Sequence, residues 1–316
     1  MFWTVFWAVA AVIVLIFAAL IIFISKKLFE MACVRGEKFV GGDGFEKQHE
    51  EYKDIIQSGR ELYEKLEKED LWLQSDDGLK LHGELLNNGS GKKLVIAVHG
   101  FRSSAKRDFA AILPYYYEKG FSILLIDQRA HGGSEGAYIT FGFYERYDLC
   151  GWIKLACEKL GNDVEILLHG VSMGASTVLM ASGLELPQCV KGIVADSGYV
   201  SPYDIFVHVL DRSFHAKPFP LMNIAGLMAK KKAKFDFKAA STIDAMAVNT
   251  VPVLFVHGED DDFVPIDMTE VNYEVCKAEK SIVRVKGARH VCGYLVDKNA
   301  CEKALDGFLA KTFENA

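Results

Sequence analysis

Residues 167–177 read LLHGVSMGAST, a short apolar run leading to a serine with glycine two positions away on either side, Gly170 and Gly174. The run before it, VEILLHG, suits a buried strand, and MGASTVLMASGL after it suits a helix. A serine at so sharp a strand-to-helix turn is held in a sparsely populated backbone conformation. Side chains at 170 and 174 would collide with the backbone crossing there, so glycine supplies the space. The turn lifts the Ser172 hydroxyl above the sheet and aims the N–H groups of the helix N-terminus at whatever the hydroxyl attacks. The G-x-S-x-G pattern alone is weak; its position between a strand and a helix gives it weight.

The same texture extends to both sides. KLVIAVHG, FSILLID, VKGIVAD, VPVLFVHG and SIVRVKG are apolar runs without alternation, as expected of strands covered on both faces. Segments of helical length (106–118, 143–160 and 174–184) separate most of them. Strand and helix in alternation predict an α/β fold, with a mostly parallel central sheet and helices on both faces. LWLQSDDGLKLHGELL, residues 71–86, alternates about a D-G turn and reads as a hairpin. The interval 199–248 is longer than a normal crossover. With helical patterns near 202–213 and 220–232, it reads as a short helical cap over the strand ends.

A hydroxyl is a poor nucleophile at neutral pH; it needs a base, and the base an orienting acid. Two downstream segments offer them. VHGEDDDFVP ends a strand in Glu259, Asp260, Asp261 and Asp262, and KGARHVCGY carries His290 after the last strand-like run. Asp196, which also ends a strand, is an alternative acid. His99, His169 and His257, each before a glycine, read as structural residues near the site, as does His131. The acidic cluster lacks D-x-D-x-D-G spacing, so no metal is expected. The seven cysteines are odd in number and form no C-x-x-C, which suits small buried hydrophobes in a reducing compartment.

Taken together, these segments resemble an α/β-hydrolase of the serine hydrolase type over about residues 70–314. The resemblance is carried by His99-Gly100-Phe101, Asp127-Gln128-Arg129-Ala130-His131-Gly132-Gly133-Ser134, the elbow Gly170-Val171-Ser172-Met173-Gly174, His257-Gly258 with Asp261 and Val264-Pro265, and Gly287-Ala288-Arg289-His290. It is similar to membrane-anchored bacterial members with a short cap, generally treated as esterases, acyl hydrolases or relatives of serine peptidases. The related motif H-G-x-x-D-x-x-V-P selects Asp261 as the acid, with Asp260 next. The resemblance further implies an oxyanion hole from the N–H groups of Phe101 and Met173. The H-G-G-G form of some lipases is missing, and Ala130 stands where many relatives have glycine.

Residues 1–25, MFWTVFWAVAAVIVLIFAALIIFIS, carry no charged side chain. About 20 apolar residues at 1.5 Å each span a bilayer. The stretch lacks the basic n-region and short apolar core of a cleaved signal peptide, so a retained transmembrane anchor is expected. Lys26, Lys27, Arg35 and Lys38 follow it, which predicts a cytoplasmic catalytic domain at the cell membrane. VGGDG at 40–44 reads as a flexible joint, and 45–69 as a charged, amphipathic helical connector. The expected organisation is therefore an anchor at 1–25, a juxtamembrane segment at 26–69 and a hydrolase domain at 70–316. The run Ala229-Lys230-Lys231-Lys232-Ala233-Lys234 reads as a solvated face, or as a contact with anionic lipid. The net charge of −6 does not suit a nucleic-acid binder.

The expected activity is cleavage of carboxylic esters or thioesters through an acyl-enzyme, with Ser172, His290 and Asp261 as the triad, no cofactor, and a small acyl ester, thioester or amide as substrate. The alternatives are an aminopeptidase-like amide hydrolase and a noncatalytic membrane-tethered binding protein on the same scaffold.

Overall fold

In a computed structural model, residues 1–36, 50–89, 92–161 and 163–313 are described; the joint at 40–44 lies outside them. Eight strands form one sheet: β1 Glu69–Gln74, β2 Lys80–Leu86, β3 Lys93–Val98, β4 Ser122–Ile126, β5 Glu165–Val171, β6 Val190–Asp196, β7 Val253–Gly258 and β8 Lys280–Val285. Their order is β1-β2-β4-β3-β5-β6-β7-β8. β1 and β2 pair antiparallel, as does β2 with β4; every other neighbour pair is parallel. The hairpin and all the apolar runs named above are strands of this sheet.

The lack of alternation in the central strands has a direct cause. In β3, Leu94, Ile96 and Val98 enter one hydrophobic cluster while Val95 and Ala97 enter the other, on the opposite face. Either face exposed would have demanded polar residues at every second position. β8 departs from this: it lies at the sheet edge and is half-buried.

The longer helices are α1 Phe2–Cys33, α2 Lys53–Lys65, α3 Leu113–Glu118, α4 Glu145–Leu160, α5 Met173–Ala181, α6 Pro202–Phe214, α7 Leu221–Met228, α8 Ile266–Val275 and α9 Lys298–Thr312. The helix expected over 106–118 is broken into Ala105–Asp108 and α3. Pro114 explains the break: proline starts a helix readily but cannot continue one. In the cap, Ser201 accepts the Asp204 N–H and starts α6, while α7 runs on into a wider turn at Ala229–Ala233. Gly59 lets α2 approach the body; a Cβ there would lie 1.6 Å from the Ala110 carbonyl oxygen.

α1 does not stop at residue 25. Its first two-thirds stand clear of the body, but Ser25, Phe29 and Cys33, spaced four apart, are buried. Phe29 and Cys33 pack with cap residues in a third hydrophobic cluster that includes Leu210, Met222 and Phe237. The strand-like segment after it is stitched to the body: the Ile139 N–H donates to the Cys33 carbonyl at 2.7 Å and the Arg35 N–H to the Ala137 carbonyl at 2.9 Å. The Arg35 side chain donates to the Gly132 and Ser134 carbonyls at 2.7 and 2.5 Å. Residues 26–36 are therefore part of the folded body rather than a free linker.

Candidate active site

Ser172 sits between β5 and α5 with φ 53° and ψ −116°, a left-handed conformation that disfavours any side chain. Close packing forces the turn. A Cβ at Gly170 would lie 2.2 Å from the Gly174 carbonyl oxygen, and one at Gly174 would lie 1.9 Å from the Val98 carbonyl oxygen. The Ser172 N–H donates to the Asp196 carbonyl at 2.8 Å, which fixes the elbow to the neighbouring strand.

The ends of β5, β7 and β8 bring three side chains together. His290 Nε2 lies 2.9 Å from Ser172 Oγ, and His290 Nδ1 lies 2.7 Å from Asp261 Oδ2. All three are buried. The second carboxylate oxygen of Asp261 accepts the N–H groups of Phe263 and Val264 at 3.0 and 2.9 Å. Asp260, Glu259 and Asp262 are not in this contact; Asp262 instead pairs with Arg212 at 2.8 Å. Asp196 accepts the Ser197 hydroxyl at 2.7 Å, and burial pushes its carboxyl up to about 6.

Burial raises the Asp261 carboxyl, but the charge of His290 and hydrogen bonds from His257 and His290 outweigh it and hold it well below the usual carboxylate range. For His290, burial works against the charged ring, yet the facing Asp261 carboxylate wins and lifts the imidazole above its ordinary value. An ionised carboxylate only accepts, so Nδ1–H donates to Asp261 and Nε2 is free to accept from the serine hydroxyl.

Phe101 and Met173 line the same cavity as Ser172. Met173 is the first residue of α5, so its N–H has no partner within the helix. Gly100 packs directly on the serine: a Cβ there would meet Ser172 Cβ at 3.3 Å.

Asp108 escapes a reading of motifs, and the histidines read as structural hold the loops and strand ends around the site. Asp108 accepts the Gly100 N–H at 2.8 Å and the Ser103 hydroxyl at 2.5 Å, which fixes the loop that carries Phe101. His131 Nε2 accepts the Arg102 N–H at 3.0 Å, and Nδ1–H donates to the Arg129 carbonyl at 2.9 Å. Burial pushes its pKa down to about 3, so it serves that loop as a neutral ring. His257 Nε2 stands 3.1 Å from Asp261 Oδ2 and 2.9 Å from the Val264 carbonyl. His99 ties the strand end to Gln128, and His169 meets the Tyr116 hydroxyl at 2.8 Å. Among the described residues, no group of three or more His, Cys, Asp or Glu could hold a metal ion.

The comparisons with known proteins agree with this architecture. Residues 93–223 match the model of the alpha/beta hydrolase fold family. An uncharacterised protein of Bacillus subtilis, YqkD, is 25% identical over 295 residues, covering 93% of this chain and 91% of its own length. The esterase Pf2001 of Pyrococcus furiosus superimposes with a TM-score of 0.63 at 23% identity, over 82% of this chain and 95% of that one. Est1E of Butyrivibrio proteoclasticus, solved with ferulic acid, does so with a TM-score of 0.58 at 21% identity, over 77% of this chain and 98% of that one. The chain is an α/β-hydrolase-fold protein.

Proposed function

We propose that the protein is a membrane-anchored serine hydrolase that cleaves carboxylic esters or thioesters through an acyl-enzyme. The observation that carries the reading is the continuous hydrogen-bonded line from Ser172 Oγ through both nitrogens of His290 to Asp261. In the reaction, Nε2 takes the hydroxyl proton as Oγ bonds to the acyl carbon, and the carbonyl π electrons move onto oxygen. The Phe101 and Met173 N–H groups hold that oxyanion. The oxyanion collapses, the bond to the leaving group breaks, and the leaving group takes its proton from His290. Water then attacks the acyl-enzyme by the same proton path and releases the acid. Asp261 keeps the ring in the required tautomer throughout. Amide cleavage by the same groups is the alternative, and a noncatalytic binding role is the reading to be excluded.

α1 supports the anchor: it is 32 residues long and apolar enough to cross a membrane, and a cytoplasmic body follows from the flanking Lys26, Lys27 and Arg35. Labelling with a fluorophosphonate probe tests the chemistry. Labelling of the intact protein that disappears in Ser172→Ala and His290→Ala is expected. An intact protein that never labels would favour the binding role.

A further inference from the structure

Two cavities meet at Ser172, and they differ in size and lining. The smaller, about 70 Å³, mixes Ser103, Arg107, Asp108 and His290 with apolar side chains such as Ile112 and Leu295. The larger, about 260 Å³, is walled almost wholly by apolar side chains, among them Phe206 and Leu210 of α6, Met222 and Ala225 of α7, and Phe29 and Ala32 of α1. The two arginines that border it are engaged, Arg102 with the Val34 carbonyl at 3.0 Å and Arg212 with Asp262 at 2.8 Å. So the helix read as an anchor also forms one wall of the space above the serine.

The position of the opening is informative. Met31 and Phe214 line the larger cavity and are themselves exposed, at 42% and 51%, so its mouth lies between α1 and the end of α6. Ile24 belongs to the exposed apolar stretch of α1, and Leu28 already lines the cavity. Four residues of helix separate them, about 6 Å. Lys26 and Lys27 lie in that turn, where cationic side chains reach the headgroup level of a bilayer. Lys232 Nζ stands 6.0 Å from the Phe29 ring, which adds a third cation on the cap side. The mouth thus opens where an apolar helix leaves the protein body.

We propose that the cavity between α1 and the cap is an acyl-chain site loaded from the bilayer, and that the substrate is a membrane-resident long-chain acyl ester. This rests on the serine-hydrolase reading above. The tail enters past Met31 and Phe214, the carbonyl carbon reaches Ser172 Oγ, and the alcohol leaves through the smaller cavity past Arg107 and Tyr294.

The full-length protein in phosphatidylcholine vesicles provides the test. kcat/KM on p-nitrophenyl esters is expected to rise with chain length from acetate, by up to roughly fourfold per methylene until the cavity is filled. Ala32→Phe fills the cavity from the α1 side and should lower the palmitate-to-acetate ratio at least tenfold. A second measurement needs no variant: a fluorophosphonate with a long diazirine-bearing alkyl tail is attached at Ser172, irradiated and digested. Cross-links are expected in the peptides spanning residues 28–33 and 202–225. An unchanged ratio, or cross-links confined to the peptides around Arg107 and Tyr294, would overturn the acyl-site assignment while leaving the hydrolase intact. No label at Ser172 and no turnover of acetate would overturn the hydrolase reading itself.

Discussion

Replacing Asp261 by asparagine separates the role of the carboxylate charge from its role in holding the loop. One carboxylate oxygen accepts the Phe263 and Val264 N–H groups, at 3.0 and 2.9 Å; the other faces His290 Nδ1 at 2.7 Å. An asparagine keeps both loop contacts only by turning its carbonyl oxygen to those two N–H donors. Its amide NH2 then faces His290, so Nδ1 must accept and the ring proton moves to Nε2. That nitrogen can no longer take the serine proton. Loss of the orienting acid in this way costs about 10⁴-fold in kcat, roughly 5.5 kcal/mol of transition-state stabilisation. Folding should survive, because the loop contacts persist. The assay is single-turnover hydrolysis of p-nitrophenyl butyrate beside a thermal melt. A variant within tenfold of the parent, with an unchanged melt, would refute the reasoning and direct attention to Asp196, the other buried carboxylate near His290.

Two further predictions concern the same site. The base must be neutral, and Asp261 lifts the His290 pKa above 6.5, so kcat/KM should fall as pH drops through a value higher than that of free imidazole. The fall is read from a pH–rate profile on a soluble ester, and in Asp261→Asn the His290 titration itself, followed by NMR of the imidazole, should move to lower pH. Gly174→Ala drives a Cβ to 1.9 Å from the Val98 carbonyl oxygen, and overpacking against rigid backbone costs about 1–3 kcal/mol or more. A lowered Tm together with reduced fluorophosphonate labelling is expected; an unchanged Tm would show that the elbow has room to relax.

Much of this architecture is legible in the sequence because burial on both faces leaves a distinctive mark. VPVLFVHG and VEILLHG hold the unbroken apolar stretches Val253–Val256 and Ile166–Leu168, with no polar alternation inside them, and glycines at 170 and 174 report a backbone crossing that no side chain could share. The docking of α1 left a fainter mark. Lys26, Lys27 and Glu30 interrupt the apolar run and suggest that the helix has ended, yet Ser25, Phe29 and Cys33 form one buried stripe beneath those charges. A stripe only one residue wide per turn carries little periodic signal. Asp108 was equally hard to foresee, because it acts on a backbone N–H of a loop whose path only the folded chain reveals. β8, KSIVRV, carries Ser281 and Arg284 at its two exposed positions, in keeping with its place at the sheet edge.

The backbone at residue 172, with φ 53°, sets two demands on one position against each other. Glycine would relax that geometry, and holding a side-chain-bearing residue in such a region costs on the order of 1–3 kcal/mol. A directed-evolution campaign scored on heat tolerance alone would therefore be drawn toward glycine at this site, and would discard the hydroxyl as it succeeded.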